Sequence, residues 1–208
     1  MTRRPRAAVL DYDAGNVRSA KRGLDAAGAE AEVTADPVVA RTADLLVIPG
    51  VGHFGTCSRQ LRERGLEDVV RAFIAEDRPV LGICVGMQLL YAGSDESDEP
   101  GLGLLPGRVR RLPADAVVPH MGWDVVRAEP AGADLLAGVD GRRCYFAHSY
   151  YAVPEDPGHV LAASGYAGAA FPCVVREGSV TGTQFHPEKS GTVGARFLAN
   201  WLGGLGWG

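Results

Sequence analysis

Residues 78–90 read RPVLGICVGMQLL, an apolar run that passes through a cysteine between two glycines into a helical stretch. The run at 78–83 predicts a buried strand, and Met87 to Leu90 predict the start of a helix. Gly-x-Cys-x-Gly at such a corner is the cysteine form of a nucleophile elbow, because the sharp turn holds the central side chain above the sheet edge. The stretch therefore predicts an α/β fold with Cys84 as a candidate nucleophile, although a buried structural cysteine would also fit.

Around this corner, apolar runs alternate with helical stretches in the first half of the chain. Such alternation is typical of strand-helix-strand units on a parallel sheet. The predicted strands span 7–10, 31–34 and 44–48, and the predicted helices span 17–27, between an Asn16 cap and Gly28, and about 56–75. In the second half, antiparallel strands are predicted near 108–110, 125–127, 144–146, 160–162, 173–175 and 180–184, before a last helix at 193–202. We expect a single domain over residues 1–208, with one central mixed, mostly parallel sheet and helices on both faces.

The composition excludes several function classes. With 208 residues, 46% hydrophobic side chains and a net charge of −4, the chain resembles ordinary globular proteins and lacks the basic surface that nucleic-acid binding needs. No window reaches the roughly 18 to 20 apolar residues that span a bilayer. The four cysteines form no Cys-x-x-Cys pair and the N-terminal apolar run is too short for a signal peptide. We therefore expect a cytoplasmic protein that binds neither nucleic acid nor membrane.

A cysteine nucleophile needs a base, and His186 is the best placed of the five histidines. It lies in the stretch Gln184-Phe185-His186-Pro187-Glu188, directly after a predicted strand. In an extended chain, side chains two positions apart point to the same face, so Glu188 can orient the His186 ring. Two alternatives remain open: a surface histidine beside a glutamate, and a metal pair, for which a third ligand is not evident.

The stretch Gly50-Val51-Gly52-His53-Phe54-Gly55 matches the pattern G-x-G-x-x-G, which suggests a dinucleotide-binding loop. That interpretation requires a carboxylate at the end of the next strand, and this strand ends at Cys84 instead. We favour a loop that offers backbone N–H groups to an oxyanion. Each such donor typically contributes about 10² to 10³ in rate.

Two motifs together resemble the class I, or triad, glutamine amidotransferases: residues 82–90 (GICVGMQLL) and 184–188 (QFHPE). Further stretches resemble the glutaminase subunits of imidazole glycerol phosphate synthase within that family, namely 49–52, 101–107, 119–123, 145–151 and 186–191. The resemblance implies a flavodoxin-like α/β fold and hydrolysis of glutamine to glutamate and ammonia. It also implies that the ammonia passes to a cyclase subunit of (β/α)₈-barrel fold, which makes imidazole glycerol phosphate and an aminoimidazole carboxamide ribotide in histidine biosynthesis. No metal or cofactor is expected.

The same resemblance implies a role for each matching residue. The expected triad is Cys84, His186 and Glu188; the expected oxyanion donors are the Val85 amide and the loop of Gly50, Val51 and Gly52; the expected glutamine-binding residues are Gln88, Ser149 and Tyr150; and the expected partner contacts are His120, Met121, Trp123, Tyr145 and Lys189. Trp123 could equally pack in the core.

Two positions depart from the family pattern. Asp13 stands where glycine is usual, and Asp124 where asparagine is commoner. Neither belongs to the triad. We therefore expect them to affect only the detail of the surface that faces the partner. Alternatives to the full assignment are a glutaminase of pyridoxal phosphate or anthranilate synthase, a non-catalytic binding relative, and a cysteine esterase or peptidase.

Overall fold

The computed structural model describes residues 3–207, so Met1, Thr2 and Gly208 of the predicted domain lie outside the described residues. The strands are β1 (Arg6–Leu10), β2 (Glu30–Thr34), β3 (Leu45–Gly50), β4 (Val80–Cys84), β5 (Gly107–Arg111), β6 (His120–Val125), β7 (Arg127–Ala128), β8 (Arg143–His148), β9 (Tyr150–Pro154), β10 (Val160–Tyr166), β11 (Ala169–Glu177) and β12 (Val180–Thr183). The helices are α1 (Val17–Ala27), α2 (Pro37–Arg41), α3 (Phe54–Glu63), α4 (Leu66–Ala75), α5 (Val85–Gln88) and α6 (Gly191–Gly204).

The central sheet has eight strands in the order β2-β1-β3-β4-β12-β11-β10-β7. The strands from β2 to β12 in this order run parallel to one another, and β11, β10 and β7 continue the sheet with antiparallel pairing. Every residue of β3 and β4 is buried, which agrees with their unbroken apolar sequence and with cover on both faces. The predicted mixed, mostly parallel sheet is confirmed.

The sheet topology brings the candidate residues to one edge. The strands β3, β4 and β12 are neighbours, with Gly50 opposite Cys84 and Thr183 opposite Ile83. Three segments therefore lie side by side at the carboxyl ends of these strands: the 50–53 loop, the Cys84 corner and the 184–188 segment. Ligands bind outside the carboxyl ends of parallel strands in open α/β sheets, so this edge is the expected place for a site.

Several predicted elements differ from the observed ones. The predicted helix 56–75 is two helices, because Gly65 takes a left-handed φ of 66° and ends the first of them. The short helix α2 was not predicted, although Asp36 caps its start by accepting a hydrogen bond from the Val38 amide, 2.8 Å away. The strand β12 is not purely antiparallel, since it lies between antiparallel β11 and parallel β4.

The prediction of one sheet was also wrong in the second half of the chain. The strands β5 and β9 form a separate two-stranded sheet, and β6 and β8 form another. The sequence pattern indicated short strands at 108–110 and 144–146 but did not indicate their partners. Within residues 3–207, no helix has both the length and the apolar character needed to cross a bilayer.

Gly86 is required by close backbone packing beneath the nucleophile corner. A Cβ atom on this residue would overlap the carbonyl oxygen of Ile48, well inside the 3.0 Å that real Cβ contacts respect. We expect Gly86→Ala to lower the free energy of unfolding by more than about 3 kcal/mol, because neither backbone can move without disturbing β3 or β4.

Urea unfolding of this variant and of a matched control checks that expectation. A Cβ atom on Gly203, near the end of α6, would meet no other atom within 4 Å, so Gly203→Ala should leave stability equal or higher by up to about 1 kcal/mol. Equal unfolding midpoints for the wild type and Gly86→Ala would contradict the packing argument.

Candidate active site

Cys84 lies at the corner between β4 and α5 with strained backbone angles, φ 55° and ψ −112°. A positive φ is unfavourable for a residue with a side chain, and such strain is typical of a nucleophile elbow. The residue is only 2% exposed. Val85 is the first residue of α5, where a backbone N–H has no acceptor within the helix. The corner therefore places a sulfur atom beside an amide that is available to a negative charge.

His186 and Glu188 form the contact that their spacing predicts. The His186 Nδ1 atom lies 2.8 Å from Glu188 Oε1, and both side chains are 1% exposed. The backbone of β8 fixes the histidine, because the His186 amide donates to the Tyr145 carbonyl at 2.9 Å. Ser190 adds a second restraint by donating its hydroxyl to the His186 carbonyl at 2.7 Å. Glu188 therefore orients the ring, while the two other contacts hold the backbone that carries it.

The other ring nitrogen of His186, Nε2, is buried and makes no hydrogen bond. Burial by itself lowers the pKa of His186, but the neighbouring Cys84 and Glu188 outweigh it and raise the pKa from 6.5 to about 10. A raised histidine pKa means that the proton stays on the ring through neutral pH and is lost only as pH rises toward about 10. This environment favours a protonated His186 ring beside the Cys84 corner.

Asn16 is a site residue that the sequence analysis missed. We predicted it to be a helix cap, but its side chain makes no capping hydrogen bond. Its amide instead donates to Glu188 Oε1, the oxygen that also contacts His186. Asn16 is thus positioned to fix the carboxylate that orients the histidine. The two residues are 172 positions apart, so no local pattern could connect them.

We expect Asn16→Gly to lower kcat for glutamine by about 10- to 100-fold, because hydrogen bonds to charged groups typically contribute about 1.5 to 3 kcal/mol. Glycine tolerates the left-handed φ of 60° at this position, so the loop before α1 keeps its path. Steady-state glutamate release with purified protein measures the effect. An unchanged kcat would show that Glu188 does not need this donor.

Two glutamine side chains link the sulfur to the strand β9. Gln184 Nε2 donates to Cys84 Sγ at 3.5 Å, and Gln88 Nε2 donates to Gln184 Oε1 at 3.0 Å. Gln88 Nε2 also donates to the Tyr150 carbonyl at 2.8 Å. Gln184 is fully buried, and the sequence analysis assigned it no role of its own. Its N–H group can stabilise negative charge on the sulfur.

A cavity of about 180 Å³ opens beside the sulfur. It is lined by Gly52, Cys84, Val85, Gln88, Glu96, Pro119, Ala147, His148, Ser149 and Tyr150. All three residues predicted to bind glutamine are among them. The residues that the structure describes contain no cluster of three or more His, Cys, Asp or Glu side chains that could hold a metal ion.

The oxyanion loop is only partly arranged as predicted. Gly52 reaches the cavity with a positive φ of 104°. The Val51 amide, however, donates to the Ala14 carbonyl at 3.1 Å, so it does not face the sulfur. In this conformation the Val51 N–H is not an oxyanion donor. The sequence could not indicate this, because the direction of one peptide group depends on its contacts.

The predicted partner contacts divide into exposed and buried residues. Met121 is 65% and Trp123 is 47% exposed, so Trp123 is not a core residue. The Trp123 ring packs edge-on against Tyr145 with centroids 6.0 Å apart, and Lys189 Nζ lies 5.7 Å from the centroid of the Tyr145 ring. His120 is only 2% exposed, which corrects its prediction as a contact residue. Alternate residues of a strand face opposite sides, so His120 lies on the other side of β6 from Met121 and Trp123.

The two departures from the family pattern also have clear surroundings. Asp13 is exposed, takes a left-handed φ of 64° and pairs with Arg64. Aspartate tolerates this conformation better than most residues, so it can replace a glycine there. Asp124 accepts a hydrogen bond from the buried His120 ring at 2.7 Å.

Comparisons with known proteins agree with this geometry. The family model described as "Glutamine amidotransferase class-I" matches residues 8–203. A protein of Mycobacterium bovis (strain ATCC BAA-935 / AF2122/97), called imidazole glycerol phosphate synthase subunit HisH, is 50% identical over 202 residues, which cover 95% of this chain and 97% of that protein. A protein of the same name from Synechococcus sp. (strain JA-3-3Ab) is 44% identical over 200 residues, covering 95% and 93%.

A solved structure described as "Crystal structure of glutamine amidotransferase" is similar over the whole fold. It has a TM-score of 0.76 and 26% identity, and the match covers 96% of this chain and 98% of that one. The similarity confirms the predicted fold class. Because the family model and the relatives both cover nearly the whole chain, the protein belongs to the class-I glutamine amidotransferases, among relatives that are HisH subunits of imidazole glycerol phosphate synthase.

Proposed function

We propose that this chain hydrolyses the side-chain amide of glutamine with Cys84, His186 and Glu188, and that it passes the ammonia to a cyclase subunit. The observation that carries the proposal is the buried His186–Glu188 contact at 2.8 Å, with the free ring nitrogen beside a strained cysteine corner. A binding-only relative would not need a strained cysteine and an oriented histidine together. The proposed location is the cytoplasm, in keeping with four cysteines that are all unpaired.

The chemistry proceeds in two halves. The Cys84 thiolate attacks the amide carbon of glutamine, and the oxygen takes negative charge next to the Val85 amide. His186 donates its proton to the nitrogen, the carbon–nitrogen bond breaks, and ammonia leaves a γ-glutamyl thioester on the sulfur. His186 then accepts a proton from water as the water attacks, and glutamate leaves with the thiolate restored. The sum is glutamine plus water giving glutamate plus ammonia.

Glu188 and Gln184 support these steps without touching the reacting carbon. The carboxylate of Glu188 accepts the Nδ1 proton of His186, which keeps Nε2 directed toward the sulfur and stabilises the imidazolium. Gln184 donates an N–H group to the sulfur at 3.5 Å. The cavity beside them is lined by Gln88 and by the Ser149–Tyr150 segment, whose polar groups are suited to the amino-acid end of glutamine.

An exposed surface beside the site supports the proposal of a partner subunit. Met121 and Trp123 project from β6, and Trp123 contacts Tyr145, whose ring centroid lies 6.3 Å from that of His186. Large exposed apolar side chains of this kind are frequent anchors of protein interfaces. A partner that covers this surface would lie close to the place where ammonia is released. The proposed partner is the (β/α)₈-barrel cyclase that uses ammonia to form imidazole glycerol phosphate.

A mixing experiment tests the choice of partner. Glutamate release is measured for this chain with the synthase subunits of imidazole glycerol phosphate, pyridoxal phosphate and anthranilate synthases in turn. We expect stimulation and a stable complex only with the cyclase of the first. Stimulation by another synthase subunit, with none by the cyclase, would contradict the proposal.

A further inference from the structure

A continuous chain of hydrogen bonds joins the exposed end of β6 to the glutamine cavity. Asp124 Oδ2 lies 2.7 Å from His120 Nε2, and His120 Nδ1 lies 3.2 Å from His148 Nε2. His148 Nδ1 in turn lies 2.9 Å from the Tyr150 carbonyl oxygen. That oxygen also accepts the hydrogen bond from Gln88. Neither His120 nor His148 belongs to the triad.

The acceptor at one end of the chain determines where its protons are. A carbonyl oxygen can only accept, so His148 Nδ1 must carry the proton that it donates to Tyr150. Burial lowers the pKa of His148 to about 3, so its ring is neutral and Nε2 is an acceptor. His120 must therefore donate from Nδ1 to His148. The other ring nitrogen of His120, Nε2, contacts the Asp124 carboxylate, which holds the ring in this orientation.

Packing also fixes the His120 ring. The ring stacks on Tyr166 with centroids 4.0 Å apart and on Phe146 at 5.3 Å, each with an interplanar angle of 19°. The ionisable groups that face the ring are Asp124 from its own strand, His148 from β8 and Tyr166 from β10. The ring therefore packs against aromatic faces while each of its nitrogens has a fixed partner.

We propose that Asp124, His120 and His148 are positioning residues for glutamine binding, in which His120, held by Asp124, sets the tautomer of His148 and thereby fixes the Tyr150 carbonyl and Gln88. The chain passes through His148 to Tyr150 and Gln88, and all three line the glutamine cavity. Without the Nδ1 proton of His148, the Tyr150 carbonyl would lose a buried donor and the Gln88 amide a fixed neighbour. The kinetic part of this proposal rests on the proposed glutaminase function, whereas the tautomer of His148 does not.

The tautomer of His148 is tested by ¹⁵N NMR of the histidine rings in the full chain at about pH 8, where ordinary histidines are neutral. We expect His148 to show a proton on Nδ1 only in the wild type. His120→Phe keeps an aromatic ring beside Tyr166 and Phe146 but removes the donor to His148, so a fraction of His148 with its proton on Nε2 should appear. The matched control is Asp156→Asn, which removes a carboxylate 3.8 Å from the ring of His159 and should leave the tautomer of His148 unchanged.

The positioning role is tested by two substitutions of His148. Phenylalanine keeps a ring that can pack on Phe171, 5.0 Å away between centroids, but removes the donor to Tyr150. Asparagine restores a donor near the position of Nδ1. We expect His148→Phe to raise KM for glutamine at least about tenfold with kcat within about threefold, and His148→Asn to recover most of the KM, since a lost hydrogen bond typically costs about 1 to 3 kcal/mol.

The two readouts separate the ways in which the proposal can fail. A wild-type His148 with its proton on Nε2, or an unchanged tautomer of His148 in His120→Phe, would overturn the tautomer argument even if the chain had no glutaminase activity. Equal KM values for the wild type and His148→Phe, or equal increases for both His148 variants, would overturn the positioning role while leaving the triad intact.

Discussion

Cys84→Ala is expected to lower glutamine hydrolysis by more than about 10⁴-fold while leaving the fold and the complex with the proposed cyclase partner unchanged. The methyl group cannot attack the amide, and the residues that line the cavity include no other cysteine. Alanine removes only one buried atom from a residue that already takes a strained φ of 55°. Glutamate release, far-UV circular dichroism and co-purification with the partner measure the three expected outcomes.

A matched control is available in Cys173, which lies in β11 and is fully buried. Burial raises the pKa of this thiol well above its ordinary value of 9.0, so it stays protonated and inert. Cys173→Ala should keep glutaminase activity within about threefold and should at most reduce stability through lost packing. Normal glutamate release by Cys84→Ala would refute the nucleophile assignment.

Binding of the cyclase with its ligand is expected to raise the glutaminase rate of the isolated chain by about 10²- to 10³-fold, the typical contribution of one oxyanion donor. The isolated structure presents the Val85 amide at the start of α5, but the Val51 amide donates to Ala14 at 3.1 Å. Turning that one peptide toward the cavity would add the second donor. Gly50 and Gly52 flank Val51, and their freedom of rotation makes such a turn feasible.

Stimulation of this size can be measured by comparing the chain alone, the chain with the cyclase, and the chain with the cyclase and its ligand. The rise should appear mainly in kcat, because oxyanion donors act on the transition state. A chain that reached the full rate alone would show that the observed loop is already competent. Stimulation that came only from a lower KM would indicate improved binding of glutamine instead.

The parts of the site that follow from local spacing were predictable from the sequence. The glycine-flanked corner at Cys84 and the two-residue spacing of His186 and Glu188 each place groups through a few successive backbone angles. The contact of Asn16 with Glu188 was not predictable, because it depends on how α1 packs beside the 187–190 turn. The hydrogen bond of Gln184 to Cys84 joins residues 100 positions apart and arises only from the pairing of β4 with β12.

The fold likewise has features that the sequence predicted and features that it could not predict. Apolar alternation identified most strands, but it could not indicate that β5 with β9 and β6 with β8 leave the main sheet. The break at Gly65 depends on a left-handed backbone angle that glycine permits but does not require. The burial of His120 could have been predicted from the sequence, because Met121 and Trp123 alternate with it along one strand. Periodicity along β6 therefore separates the exposed residues proposed to contact a partner from the buried residue between the strands' faces, His120.

The central claim is that Cys84 is the nucleophile and that His186, oriented by Glu188, activates it. The most direct measurement is the rate of Cys84 alkylation by iodoacetamide at about pH 7, followed by mass spectrometry. Because the pKa of His186 is raised to about 10 and a positively charged imidazole makes a neighbouring cysteine sulfur more reactive, the wild type should react at least about fivefold faster than His186→Asn.

Glutamine should protect Cys84 from alkylation in the wild type. Equal alkylation rates for the wild type and His186→Asn would contradict the claim.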